Sequence, residues 1–233
     1  MGYKGGMAKL TPRILYGWAS VTGPRPDNQD AIAVRPMKGE RHIRGIVADG
    51  LGGQDYGERA AWNAVRAGIV ADGWPRVLEA AREGVNGGEG STTLVAFEAD
   101  AEAKRLDFGW MGDSGLCAIA GRDQLEHLTA PHGFAHLVTR CLSRANQDEF
   151  DTGSVPLVPG VVYVAYSDGF DLLLDNDLRS RAHNRSWVGT FFARAMTDRT
   201  VPAMTRTAVW ACDSALQAGS TDNCTLAVFR VIA

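Results

Sequence analysis

The sequence predicts an α+β fold in which two antiparallel β-sheets lie against each other with helices outside. Three observations carry this. Segments of two-residue period are grouped between Thr93 and Leu128, with no helices between them. Helical segments come in two groups, one after the third strand and one near the C-terminus, where an alternating βαβ arrangement would place one after every strand. No Pro/Ser-rich linker, internal repeat or low-complexity tract divides the chain. Residues 13–233 are therefore expected to form a single domain, and residues 1–12 a flexible N-terminal segment.

Strands are expected first at Ile14–Val21, Ala31–Val34 and Ile43–Ala48, the last an apolar run ending in Asp49-Gly50. Ala60, Ala61, Ala64, Val65, Gly68 and Ile69 then form one small-residue face of a helix, and Trp74, Val77, Leu78 and Ala81 a shorter one. The period changes to two over Thr93–Glu98 and Leu106–Trp110, and strands continue at Leu116–Ala120 and Gln124–Leu128. Phe134–Arg144 reads as helical. Val161–Tyr166 is an apolar strand running into Ser167-Asp168-Gly169, and Trp187, Val188, Phe191, Phe192 and Ala195 mark another helix. Pro202 suits the first turn of a helix reaching Leu216, and Cys224–Val231 closes the chain as a strand.

Composition narrows the function classes. Of 233 residues 45% are hydrophobic and 22% charged, which is ample for a packed core and excludes disorder as the main state. With 24 Lys+Arg against 27 Asp+Glu and no long run of either sign, neither nucleic acid nor an anionic membrane is favoured as a partner. Cys117, Cys141, Cys212 and Cys224 form no C-x-x-C pair, and two of them sit inside apolar stretches as small core residues. No apolar run approaches membrane-spanning length and the first twenty residues lack a signal-like apolar region, so a cytoplasmic monomer is expected.

The informative pattern is where aspartates fall. Asp49 and Asp168 each end an apolar strand before a glycine, and Asp222 precedes one, so antiparallel pairing can bring all three to one edge. Asp113, in the turn Gly112-Asp113-Ser114, can join them. Any single Asp-Gly is first a turn signal. Several carboxylates at one buried edge repel, however, and call for a cation; oxygen-only donors select Mg²⁺ or Mn²⁺ over Zn²⁺. Arg25, in Arg25-Pro26-Asp27-Asn28-Gln29-Asp30, adds a guanidinium able to fork onto phosphate oxygens, and Asp30 a further carboxylate.

The ordered series Arg25-x-x-Asn28-Gln29-Asp30, Val47-Ala48-Asp49-Gly50-Leu51-Gly52-Gly53, Gly90-Ser91-Thr92-Thr93, Gly112-Asp113-Ser114, Ser167-Asp168-Gly169 and Asp222-Asn223-x-Thr225 resembles that of the metal-dependent protein phosphatases (PPM family, type 2C), over about Val21 to Val231. The resemblance implies a four-layer αββα sandwich. It implies a pair of Mn²⁺ or Mg²⁺ ions, with a third, weaker one at Asp113, acting on phosphoserine and phosphothreonine in proteins opposite a Ser/Thr kinase. On that pattern Asp49 bridges both ions, Gly50 offers its carbonyl, Asp168 and Asp222 bind the other side, and Asp30 holds metal-bound water. Arg25 binds phosphate, with Asn28, Gln29 and Asn223 in support. Leu51 stands where some members carry a histidine proposed as general acid, leaving His132 or water as candidates; Gly115 replaces an arginine often found after Asp-Ser; and the flap between His132 and Asp168 looks shortened.

Other readings fare worse. Gly50-x-Gly52 lacks the third glycine of a dinucleotide fingerprint, where Asp55 stands, and no lysine completes a Walker loop near Gly90. No cysteine is followed six positions later by arginine, as a covalent phosphatase would need. His132 and His136, four apart, lack an adjacent acidic ligand and read as a satisfied or solvated pair. The alternative from another class is a catalytically weak, phosphatase-like regulatory or binding module.

Overall fold

The computed structural model describes residues 11–51, 56–122, 124–134, 137–146, 148–174 and 181–232. The chain opens with β1 (Arg13–Val21), β2 (Asp30–Met37) and β3 (His42–Asp49), then α1 (Gly57–Ile69) and α2 (Arg76–Asn86). Next come β4 (Ser91–Thr92), β5 (Leu94–Asp100), β6 (Arg105–Met111), β7 (Gly115–Ile119) and β8 (Leu125–His127). Three short pieces follow, β9 (Gly133–Phe134), β10 (Leu137–Val138) and β11 (Leu142–Ser143), then β12 (Asp151–Pro156) and β13 (Val162–Tyr166). A 3₁₀ turn at Asp168–Phe170 leads into α3 (Asp171–Leu174), α4 (Arg181–Thr197), α5 (Val201–Gln217) and β14 (Cys224–Ile232).

Two five-stranded sheets, ordered β1-β14-β13-β7-β8 and β12-β6-β5-β3-β2, are antiparallel throughout. The inner strands β3, β5, β13 and β14 are buried on both faces, and alternate residues of β3 serve different layers. Ile43 and Val47 point between the sheets, where Phe97 stacks on Phe229 with ring centroids 4.4 Å apart. Ile46 and Ala48 point outward against Ala60, Ala61 and Ala64 of α1, whose small side chains let the helix lie close to the sheet. On the far side α4 and α5 cover Leu15, Val164 and Val228 with Trp187, Phe191, Met204 and Ala208. Thr200 caps α5 by accepting a hydrogen bond from the Ala203 N–H, with Pro202 in the first turn as the sequence predicts. Helices, two sheets and helices again make the αββα sandwich.

Buried Arg44, 2% exposed, binds Glu98 at 2.8 Å through Nε and donates to the carbonyls of Gly68, Ile69 and Ala71. The residue that breaks the apolar run of β3 thereby satisfies the C-terminal carbonyls of α1 and ties helix to sheet.

Two segments depart from the sequence reading. Phe134–Arg144 is not helical: β9 and β10 form a small hairpin, and β11 pairs with β4 through Leu142↔Thr92 and Ser143↔Ser91. The spacing of Phe134, Leu137, Val138 and Leu142 imitates a helical stripe, but Phe134 and Leu137 are paired with each other across the hairpin and Leu142 with Thr92. The i, i+4 relation of His132 and His136 on a helix therefore does not arise, and His136 itself lies outside the described residues. Strand β12 has no counterpart in the sequence reading, because Asp151-Thr-Gly-Ser-Val-Pro lacks an apolar alternation; it joins the sheet as an edge, where one face stays exposed. Among the described residues no helix is long and apolar enough to cross a membrane.

Candidate metal centre

Strand ends place the carboxylates. Asp30 begins β2 and Asp49 ends β3, and the two are direct cross-strand partners, a pairing that repels when both are ionised. In the other sheet β13 and β14 pair through Tyr166↔Leu226, and the Ser167 N–H continues the ladder to the Thr225 carbonyl at 3.0 Å. Asp168 and Asp222 thus meet just past the ladder's end. The close approach depends on Gly169, where a Cβ would sit 1.9 Å from the Asn223 carbonyl oxygen. Asp113 comes from the turn between β6 and β7. One cleft of about 510 Å³ is lined by Arg25, Gln29, Asp49, Gly50, Asp113, Asp168, Asp222 and Asn223. Asp30 lies beneath it, 3% exposed.

The asparagines hold the loop that carries Arg25. Asn223 accepts from the Gln29 N–H at 2.8 Å and donates to the carbonyls of Thr22 and Asp27. Asn28 accepts from the Asp30 N–H at 3.1 Å and donates to Ser20 Oγ at 2.9 Å. Arg25 donates through Nε to the Thr221 carbonyl and through a terminal nitrogen to Asp222 Oδ2 at 2.6 Å, and its side chain is 46% exposed at the cleft mouth. The sequence reading named these residues without their partners. It assigned no role to Ser167 and Thr225, yet the Ser167 hydroxyl donates to Asp30 Oδ2 at 2.8 Å and accepts from the Thr225 N–H at 3.1 Å. The signal in the sequence was their place, a serine directly after the apolar run Val161–Tyr166 and a threonine inside the closing strand, and both are fully buried.

Electrostatics mark the cluster as strained by its own charge. Burial, opposed by hydrogen bonds from Thr225 and Ser167, raises the Asp30 carboxyl to about 6, with Asp168 and Asp222 adding repulsion. Asp49 is pushed well above the usual carboxylate range by burial and then by the charges of Asp30 and Asp168. Asp168 is raised by burial and by Asp222. Asp49 and Asp168 each act on the other, and the interaction pushes the Asp49 carboxyl further up.

These donors fit a hard divalent cation. Asp30 Oδ1 and Asp168 Oδ1 are buried without a hydrogen-bond partner, an arrangement that costs free energy unless a cation or water meets them. All candidate donors are oxygens. With Arg25 holding Asp222 and Asp49 facing Asp168, they form an open cleft: among the described residues no three His, Cys, Asp or Glu side chains already close into a cage. Leu51 lines the cleft and has no proton to give. His132 does not line it, and both its ring nitrogens are engaged elsewhere, with the Gly112 N–H and with Asp151. Gly52 and Gly53 lie outside the described residues.

The fold is that of the metal-dependent, PPM-type serine/threonine phosphatases. The catalytic domain of the serine/threonine phosphatase PstP, solved with two manganese ions, superposes with a TM-score of 0.71 at 23% identity, covering 96% of this chain and 100% of that one. A serine/threonine phosphatase from S. agalactiae gives 0.73 at 19% identity, covering 93% and 99%. PppA, a regulatory component of the T6SS in Pseudomonas aeruginosa, gives 0.70 at 22%, covering 95% and 100%. No protein-family model matches the sequence, and no curated protein does.

Proposed function

We propose that this chain is a serine/threonine protein phosphatase that hydrolyses phosphoserine and phosphothreonine in proteins, acting opposite a Ser/Thr kinase. The observation that carries the reading is one cleft that joins carboxylates from both sheets to an exposed arginine at its mouth, with Asp168 Oδ1 in its lining and Asp30 Oδ1 outside the lining both buried without a hydrogen-bond partner.

Asp49, Asp168 and Asp222, with the Gly50 carbonyl, are the residues that would hold a pair of Mn²⁺ or Mg²⁺ ions, and Asp113 a third. Bound there, such ions supply Lewis acidity and lower the pKa of water toward neutrality. Asp30, fixed by Ser167, is the residue that would hold water at such a centre. Arg25 binds the phosphate oxygens bidentately, for which it must leave Asp222, and it neutralises the charge that develops on them. Asn28, Gln29 and Asn223 hold its loop.

The test is Mn²⁺-dependent release of phosphate from phosphoserine and phosphothreonine peptides, with Asp49→Asn as control. Activity lost on chelation and in the variant supports the reading. Mn²⁺ binding without phosphate release points instead to a phosphatase-like binding module, and turnover unaffected by chelation overturns the metal mechanism.

A further inference from the structure

Gly112 carries the peptide that leads into Asp113, and its backbone is unusual. Its φ of +103° lies in a region that side-chain-bearing residues avoid, and a Cβ there would sit 2.6 Å from that of Thr93. A turn of this kind is steadied when groups outside it hold its peptides. His132 does so at both ends. Its backbone N–H donates to the Gly112 carbonyl at 2.8 Å, and its ring Nδ1 accepts from the Gly112 N–H at 3.1 Å.

That second bond sets the tautomer. With Nδ1 accepting, a neutral ring carries its proton on Nε2, which donates to Asp151 Oδ2 at 3.1 Å. Arg140 Nη1 stands 3.0 Å from the same Nε2; with the proton on Nε2 it cannot donate there, and it directs its hydrogen bond to Asp151 Oδ1 at 3.1 Å, steadying the carboxylate that orients the ring. The imidazole lies nearly parallel to Trp110, two residues before Gly112, with centroids 5.9 Å apart. Finally, the His132 carbonyl accepts from the Thr139 N–H at 2.9 Å, closing the β9–β10 hairpin whose Leu137 and Val138 wall the cleft.

We propose that His132 is a positioning residue of the metal centre. It clamps the two peptide groups that flank Gly112, one by its N–H and the next by its C=O, which fixes where the Asp113 carboxylate stands, and it carries the hairpin that borders the same cleft. The inference rests on the reading of Asp113 as a metal ligand for its functional consequence, but not for the clamp itself.

Two substitutions separate the roles of the ring nitrogens. The Oδ1 of asparagine falls where Nδ1 stands and can accept from the Gly112 N–H; glutamine reaches toward Asp151 but leaves that N–H without its acceptor. The Gly112 amide is followed by hydrogen exchange in the metal-free protein, and Mn²⁺ binding by calorimetry. His132→Gln is expected to lose about tenfold in Gly112 protection and to weaken the weakest Mn²⁺ step by about tenfold, the scale of one hydrogen bond. His132→Asn should stay within about twofold of the wild type in both. A general packing defect would lower the melting temperature of both variants without this split. Equal Gly112 protection in the two variants, or an asparagine variant as impaired as the glutamine one, overturns the clamp. If the wild type binds Mn²⁺ without hydrolysing phosphopeptides, the phosphatase reading fails while exchange and calorimetry still decide the role of His132. If it binds no Mn²⁺, the proposed positioning of a metal ligand is overturned, and the Gly112 exchange shows whether the clamp stands alone.

Discussion

Replacing Asp30 by Asn should make the metal-free protein more stable while removing a residue of the proposed centre. The carboxyl is 3% exposed and raised from 3.8 to about 6 by burial and by its acidic neighbours. A folded-state value above the unfolded one means that native stability is full below about pH 4 and falls as pH rises through about 6, because the buried group must ionise against its surroundings. The shift of about two units corresponds to roughly 3 kcal/mol at pH 7.5. Asparagine has the same shape, its Oδ1 can still accept from Ser167, and its Nδ2 can donate to the carboxylates of Asp49 or Asp168. Allowing for imperfect geometry, a gain of about 2 kcal/mol remains, or roughly 4–8 °C in Tm for a chain of this size. Thermal unfolding followed by circular dichroism with a chelator present, at pH 7.5 and pH 5, tests this. The advantage should shrink to about half at pH 5 as the wild-type carboxyl takes up its proton. An Asp30→Asn protein that is less stable than wild type by the same amount at both pH values would refute the claim that these carboxylates repel one another.

Activity should be lost on chelation and restored by Mn²⁺ better than by Zn²⁺, since every candidate donor is an oxygen; a phosphate-release assay across metals checks it. Arg25→Ala should lower kcat/KM by about 10- to 100-fold through lost charge-assisted hydrogen bonds to phosphate. Its Mn²⁺ affinity by calorimetry should be unchanged or higher, because the guanidinium holds Asp222 Oδ2 at 2.6 Å; a large fall would count against its role. Ser167→Ala removes both the donor to Asp30 and the acceptor for the Thr225 N–H, which should destabilise the protein by about 1–3 kcal/mol in denaturant unfolding.

Much of the architecture is legible in the sequence. Hydrophobic periodicity reports which faces are buried, so β3, β5, β13 and α1 could be read from the runs that hold Val47, Phe97, Val164 and Ala64, and α5 from Pro202 in its first turn. The aspartates at strand ends were legible too, since the antiparallel rule alone sends Asp49, Asp168 and Asp222 toward one edge. What periodicity cannot carry is partnership. The stretch from Phe134 to Arg144 has helical spacing, but Leu142 belongs with Thr92 on a distant strand, and β12 is held by the backbone of β6 without an apolar pattern of its own. The same limit governs the site. That Arg25 rests on Asp222, that Ser167 holds Asp30, and that the His132 ring turns away from the cleft onto Gly112 are facts of hydrogen bonds across roughly 20 to 200 residues of sequence. Such bonds depend on direction and on distances of a few tenths of an ångström, which only the packed sheets set.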